Sequence, residues 1–513
     1  MSLRTLSQED WKLSHKKQRL AKKVTISLAI ISIIVAALIF VTRATLMVLA
    51  YAITLLYLAW GIYHVIVTIA GIKPPLNPQT PPKFFPKFSA IIPAMNEPIL
   101  SRTVQVLVEH VDYPLAGKEV VIVTDDPMGE RMASLLQHKY RGVVKAVARR
   151  EFFPTKPSAL NDGLALSTGE VVCIVDVEDV PDSDAFIKAV SALVNHGYDA
   201  VQLVLRINNE DDSWITRIFA LEYAGWFRVW LNGRSRLGLF TPLGGTGNYF
   251  WRKAAVQVGG WDSLNLAEDA ELAVRMTLSG MKIKVVDARH WEEAPANFRA
   301  WLRQRTRWYR GWLQSLWKYL PLLFRPRLLR RAGPLTIIST LLMLCSPLVV
   351  LLNWASFALT GLWILEYYGI TPPLLYGIFP SWALAPFLMN AIYFGAWFLG
   401  GRYEGVKTKW WRILPHMLFY FYVMLPLASL RALWQQMFRP VFWEKTTHPG
   451  RGVNGFIIES EQSQIQMEET SSIASAKVGF GGIRPELALL FWSMVLALDL
   501  LFIATLLANP AIL

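Results

Sequence analysis

The hydrophobic pattern of this chain changes period twice. Residues 24–42 run nineteen positions without a charge, and 45–71 form a second apolar run after Arg43. Each is long enough to cross about 30 Å of hydrocarbon as a helix. Pro74, Pro75, Pro78, Pro81, Pro82 and Pro86 follow and predict a linker, because proline breaks helix hydrogen bonding. From 88 onward, short β-rich runs alternate with helical stretches. The runs are FSAIIP, EVVIV (119–123), VVKAV (143–147), VVCIV (171–175) and DAVQLV (199–204), with helices near 99–110, 127–139, 157–167 and 183–196. This alternation predicts a parallel α/β sheet, which binds ligands at the carboxyl ends of its strands.

Two Trp-rich segments, 212–232 and 298–318, are apolar on one side but too charged to span. They predict interfacial helices. Long apolar runs return after 333. Residues 334–366 are uncharged up to Glu366, exceed one untilted span and carry Pro347; spans at 381–400 and 486–508 complete the set. Residues 411–436 are interrupted by Pro415, Pro426 and Arg431 and predict an interfacial or re-entrant helix. Residues 451–482, rich in Ser, Glu, Gln and Gly, predict a flexible loop.

Composition then narrows the class. Hydrophobic residues make up 53% of the 513 and charged residues 18%, which excludes a wholly soluble enzyme. A net charge of +14 would suit a nucleic-acid partner, but the basic residues gather at the ends of apolar runs. Lys16, Lys17, Arg19, Lys22 and Lys23 precede the first run; Arg402, Lys407, Lys409 and Arg412 follow 381–400. That is positive-inside patterning, so no nucleic acid is expected. It predicts a multi-pass protein of the plasma membrane, in contact with the lipid bilayer, with the 88–297 domain in the cytoplasm. Cys173 and Cys345 fall in a predicted strand and a predicted span, so no disulfide framework follows. The expected plan is 1–87 for the N-terminal tail, two spans and linker; 88–297 for the cytoplasmic α/β domain; 298–332 for an interfacial segment; and 333–513 for a C-terminal membrane region.

Three acidic clusters fall where that sheet would bind ligand. Asp125-Asp126 follows one strand, Asp176-Val177-Glu178-Asp179 follows another, and Glu268-Asp269 precedes a helix. Hard carboxylate oxygens suit Mg²⁺ or Mn²⁺, and a separate carboxylate suits a general base. A lone Asp after a strand is more often a helix cap than a catalyst, so the argument rests on the set.

The ordered strings IIPAMNE, VTDD, the Lys of TKPSALN, DVED, AED and QRTRW resemble the family 2 glycosyltransferases. They are most similar to the processive branch of cellulose, chitin and hyaluronan synthases, over roughly 88–320. The resemblance implies a GT-A (Rossmann-like) domain inserted between N- and C-terminal transmembrane helices. It implies inverting transfer from a nucleotide-diphosphate sugar, of UDP-glucose or UDP-N-acetylglucosamine type, to a growing polysaccharide secreted through the chain's own channel. Asp125 or Asp126, with Glu97, matches the nucleoside side, and Lys156 a basic group near the diphosphate. Asp176 and Glu178 match the metal motif, with Asp179 as a further ligand candidate because Glu replaces the usual second Asp. Asp269, beside Glu268, matches the general base; Ala267 stands where many members have Thr. Gln304, Arg307 and Trp308 match the acceptor and diphosphate site, joined by Gly245 and Thr246 of PLGGTGNYFWR. Trp443, Lys445 and Thr446 of FWEKTTHPG resemble a gating loop within 438–450. The alternative is a non-processive enzyme glycosylating a lipid carrier. An accessory export or regulatory subunit is left open.

Overall fold

The computed structural model describes residues 43–149, 155–371, 373–375, 378–408 and 410–439. The 24–42 and 486–508 spans, the 451–482 loop, and Trp443, Lys445 and Thr446 lie outside the described residues. Helix α1 (Arg43–Ile72) is followed by the Pro-rich linker. The linker is docked: Leu76 pairs with the sheet, donating to Val285 O and accepting from Asp287 N–H.

Eight strands then form one sheet: β1 (Phe88–Ala94), β2 (Lys118–Thr124), β3 (Val144–Ala148), β4 (Val171–Ile174), β5 (Val180–Pro181), β6 (Ala200–Ile207), β7 (Asn248–Trp251) and β8 (Ile283–Glu292). Their order is β3-β2-β1-β4-β7-β6-β8-β5. β1, β2 and β4 are apolar runs buried on both faces, as a helix-covered parallel sheet requires. The covering helices are α2 (Leu100–Gln105), α3 (Pro127–Lys139), α4 (Lys156–Leu166) and α5 (Ala185–His196).

The sheet is mixed rather than parallel throughout. β7 runs antiparallel to both β4 and β6, and β5 antiparallel to β8. The cause lies in the segment before β7. Helix α6 (Trp214–Tyr223) continues through a π-helical segment, Ala224–Leu231, into α7 (Asn232–Arg236), and the chain re-enters the sheet from the opposite edge. Ile174 at the end of β4 therefore pairs with Asn248 at the start of β7. This reversal brings the loop before β7 to the same edge as the residues after β4.

After β7 come α8 (Arg252–Gln257), α9 (Glu268–Leu278), α10 (Phe298–Leu323) and α11 (Pro326–Ala332). The last elements are α12 (Pro334–Tyr367), α13 (Ser381–Glu404), and α14 (Trp410–Phe419), which passes through π-helical Tyr420–Met424 into α15 (Leu425–Phe438). α1, α12, α13 and the α14–α15 rod are long and apolar enough to cross a membrane. α12 is continuous through Pro347. The segment expected to be interfacial or re-entrant is also continuous: the backbone stays helical through π-helical Tyr420–Met424, the widened turn that stands just before Pro426.

The α6–α7 rod is wedged between the sheet and this bundle. A Cβ at Gly233 would stand 2.0 Å from Val67 O, so α7 lies backbone to backbone on α1. Arg228 and Asn232 donate to the carbonyls of Gly71 and Lys73, closing the end of α1. The segment expected at an interface is thus mostly buried, sandwiched between two layers of its own protein.

Candidate active site

The carboxyl edge of β4, β6 and β8, with the loop entering β7, gathers the charged residues. Lys156 is the first residue of α4, whose cap is Thr155; the Thr155 hydroxyl accepts from Ser158 N–H. The Lys156 ammonium lies 2.6 Å from each Asp176 carboxylate oxygen and 3.1 Å from Gly245 O, to which it donates. Glu268 approaches it at 3.9 Å. Burial alone would lower the Lys156 pKa, but Asp176, Glu268 and Asp269 outweigh it and push it upward. A Cβ built on Gly245 would lie 3.5 Å from Lys156 Nζ, 3.6 Å from Asp269 Oδ2 and 3.9 Å from Asp176 Oδ2. Gly245 therefore stands at the centre of the ring, and its missing side chain keeps that space open.

Asp269 sits in the first turn of α9, beside Glu268. Burial, then the neighbouring Glu268 charge, pushes its carboxyl up to about 7. A carboxylate poised near neutrality suits a general base. The turn is held by α10. Leu266 N–H donates to Gln314 Oε1 at 3.0 Å, Asn265 donates to Ser315 Oγ at 2.9 Å, and Arg307 donates to Leu266 O at 3.4 Å. A Cβ at Gly311 would stand 2.3 Å from Ala267 N, so helix and turn are in backbone contact. The QRTRW helix thus fixes the acid.

A cavity of about 230 Å³ opens from this ring. Lys156, Asp176, Glu178, Gly245, Glu268, Asp269, Gln304, Arg307 and Trp308 all line it. Gln304 is buried, and its amide oxygen accepts no hydrogen bond among the described residues. Trp308 is backed by Arg305, whose guanidinium centre is 4.9 Å from the indole. Arg305 is itself clamped by Glu222, at 2.8 and 2.5 Å, and donates to the Tyr420 hydroxyl at 2.7 Å. That network ties α6, α10 and the membrane rod together behind the QRTRW face.

Other sequence-predicted residues lie off the cavity. Asp179 is 1% exposed; it accepts the Asp176 N–H at 3.0 Å and faces His290 at 3.8 Å. Burial pushes its carboxyl well up, and its bond to the Asp176 N–H braces the loop from beneath. Thr246 is buried beneath the site, donating to Ile174 O at 3.2 Å and accepting from Asp176 N–H at 3.4 Å. Both Asp126 oxygens are engaged by backbone, Gly129 N–H at 2.9 Å and Asn96 N–H at 2.8 Å, which makes it the α3 cap. Asp125 pairs with Arg149 at 3.5 Å. Glu97, Asp125 and Asp126 sit together at the ends of β1 and β2, outside the cavity lining.

The donor set fits a divalent cation. Among the described residues no three His, Cys, Asp or Glu side chains converge on one point. Asp176 and Glu178 nevertheless face the same cavity. Two carboxylates completed by diphosphate oxygens are the usual Mg²⁺ arrangement in phosphate chemistry.

Sequence reasoning missed several lining residues. Glu222, Tyr223, Trp226 and Arg234 come from the α6–α7 rod, and Glu292 ends β8. Burial pushes the Glu292 carboxyl up to about 8. The charges that interrupt 212–232 were the available signal. Beyond these residues the cavity continues between the long helices, reaching Tyr57, Asn353 and Asn390. The Tyr57 hydroxyl donates to Asn353 Oδ1 at 2.7 Å, and Asn390 donates to the Tyr422 hydroxyl at 2.5 Å.

A mixed α/β sheet carrying a lysine and carboxylates at its strand ends is the plan of a GT-A-like glycosyltransferase domain. Residues 86–311 match the model of a family described as glycosyltransferase like family 2, so the chain carries a family 2 glycosyltransferase domain. A probable glycosyltransferase, YdaM, of Bacillus subtilis (strain 168) is 31% identical over 249 residues, 47% of this chain and 59% of that protein. A beta-monoglucosyldiacylglycerol synthase of Synechocystis is 29% identical, over 46% of this chain and 50% of its own. A probable glucomannan 4-beta-mannosyltransferase of Oryza sativa subsp. japonica is 28% identical, over 44% and 42%. The chain thus spans about half the length of the curated relatives it matches. A mannosyltransferase of Pyrobaculum calidifontis, solved with GDP-Man and Mn²⁺, shares the fold at TM-score 0.52 and 20% identity, over 76% of this chain and 99% of that one.

Proposed function

We propose that this chain is a membrane-embedded, inverting glycosyltransferase that moves a sugar from a nucleoside diphosphate sugar to a growing glycan. The observation that carries the reading is the continuity of one cavity, from the Asp269 carboxylate to Tyr57 and Asn353 within the helix bundle. A cavity that reaches from the base in among the helices has room beside the reaction centre for an acceptor longer than one sugar. Its lining of indoles, phenols and amides matches the alternating C–H faces and hydroxyls of a sugar chain. In this reading the four long helices lie in the plasma membrane and the sheet domain faces the cytoplasm.

Asp269 takes the proton from the acceptor hydroxyl as that oxygen bonds to the anomeric carbon. The bond from that carbon to the diphosphate oxygen breaks, and its electron pair leaves with the nucleoside diphosphate. Lys156 and Arg307 stabilise the departing charge, each already aimed into the cavity. A divalent cation held by Asp176 and Glu178 would act there as a Lewis acid on the diphosphate. Gln304 offers an unengaged amide oxygen to an acceptor hydroxyl, and Trp308 a flat face for the sugar ring.

The test is turnover by the detergent-purified chain with Mn²⁺ or Mg²⁺, offering UDP-glucose, UDP-N-acetylglucosamine and GDP-mannose, with products sized. High-molecular-weight product from one donor is the expected result. A single sugar on an extractable lipid would move the acceptor to a lipid carrier, as the diacylglycerol-named relatives would have it.

A further inference from the structure

Among the described residues, buried arginines have acceptors, with one exception. Arg305 is held by Glu222, Arg228 by the Gly71 carbonyl, and Arg310 by Gln435 and the Arg439 carbonyl. Arg234 is 2% exposed and lines the cavity. Its Nε and Nη1 donate to no acceptor, and no carboxylate forms an ion pair with it, among the described residues. Its guanidinium centre lies 5.4 Å from the Tyr63 ring and 5.4 Å from the Trp226 ring. Two ring faces hold a cation by their quadrupoles but leave its N–H groups unanswered. The contact of Gly233 with Val67 O presses α7 onto α1. A buried charge with no counter-charge is costly, so this position is built for a partner that arrives with the ligand.

We infer that Arg234 binds an oxyanion carried by the acceptor, and that the acceptor is an acidic glycan whose uronate carboxylate pairs with the guanidinium. The inference rests on the glycan-acceptor reading above. A guanidinium pairs with a carboxylate more strongly than with a neutral acceptor, and Tyr63 and Trp226 flank this one. The donor diphosphate has its own cations, Lys156 and Arg307, at the sheet end. A lipid phosphate is the weaker fit, because the cavity also presents Tyr57, Ser346, Asn353 and Asn390. Those hydroxyls and amides suit sugar hydroxyls, and the aromatic rings between them suit the C–H faces of a sugar.

The experiment is equilibrium binding to the full chain in nanodiscs, with two labelled probes. One is a β-1,4-linked glucuronic acid tetramer; the other is its carboxyl-reduced neutral twin. The wild type should hold the acid at least tenfold more tightly. Arg234→Gln should erase that preference and Arg234→Lys should retain part of it, while both variants still bind UDP or GDP with Mn²⁺. That last measurement shows that the variants fold. Equal binding of the two tetramers by the wild type would overturn the inference, as would a preference that survives in Arg234→Gln. Competition by a polyprenyl phosphate but not by the acid tetramer, lost in Arg234→Gln, would also overturn it by moving the oxyanion to a lipid. If a neutral polymer is made and no charge preference exists, this inference alone falls. If no donor is turned over and neither tetramer binds, the glycan-acceptor reading falls with it.

Discussion

The two ends of the cavity follow opposite rules. At the sheet end charge answers charge, Lys156 against Asp176 and Arg305 against Glu222, while Glu268 crowds Asp269 with a like charge. At the bundle end the lining is Trp60, Trp226, Tyr393, Asn353 and Asn390, and Arg234 is the one cation, without a carboxylate partner among the described residues. The first arrangement is preorganised before any ligand binds, which is what stabilising a departing diphosphate requires. The second leaves surfaces and hydrogen-bonding groups for something long to lie against. The contrast teaches that chemistry and acceptor grip are separable here, and mutations at the two ends should fail in different kinetic constants.

The largest effect belongs to Asp269→Asn, which keeps the shape and removes the base. General acid–base groups contribute on the order of 10²–10⁴-fold, so kcat/KM should drop by that much with nucleotide binding intact. A variant with near-normal turnover would take the base role from this end of the cavity altogether. Gly311→Ala should come next. Alanine is the better helix former by about 1 kcal/mol, so α10 itself gains. The new Cβ, however, meets Ala267 N at 2.3 Å and must push the Glu268-Asp269 turn aside. A displacement near 1 Å costs about a hundredfold in rate, so kcat should collapse, and the overlap, at about 1–3 kcal/mol, should cancel or exceed the helix gain in thermal stability.

Acidity gives a smaller and graded effect. Asp269 has a pKa of about 7 because it is buried beside Glu268, and the base works only when ionised. The kcat/KM of the free enzyme should therefore be flat above about pH 7 and fall about tenfold per unit below it. Glu268→Gln removes the neighbouring negative charge, so the midpoint should move down. A midpoint that moves up, or stays, would deny the coupling between these two acids.

How much of this was legible in the sequence follows the same division. β1, β2, β4 and β6 announce themselves as apolar β-branched runs, and the acids after them lie at the edge that strand polarity dictates. β7 has four residues inside a Gly-rich loop, and its direction depends on the rod before it, which periodicity alone does not convey. β8 carries Asp287, Arg289, Glu292 and other polar side chains among its apolar ones, so it does not read as a core strand. Of the residues that motif spacing picked, Asp269, Lys156, Asp176 and Gln304 line one cavity. Asp126 and Asp179 are engaged by backbone N–H groups instead, a difference spacing does not convey because a cap needs the same carboxylate as a ligand does. Glu222, Trp226 and Arg234 belong to no short motif. They share a cavity because α6–α7 is packed between sheet and bundle, a tertiary fact.

The smallest effect is the one that sharpens the comparison most. Trp312 lines the cavity and stacks against Trp226, with ring centres 6.3 Å apart and planes 21° from parallel. Neither indole approaches the carboxylate ring as a hydrogen-bond partner, so Trp312→Leu should leave the proton transfer alone. The change removes roughly 40 Å² of apolar contact from a bound acceptor, or about 1 kcal/mol, close to fivefold in affinity. Acceptor KM should rise by that factor and product chains should shorten, because each round of extension then competes with faster dissociation. Donor KM and the pH midpoint should stay in place. If Trp312→Leu instead lowers kcat with acceptor KM unchanged, the bundle end is coupled to the chemistry and the two ends act as one site. An unchanged chain length with normal kinetics would mean that the acceptor does not pass between these rings, and the cavity beyond Trp308 would lose its claim to hold the glycan.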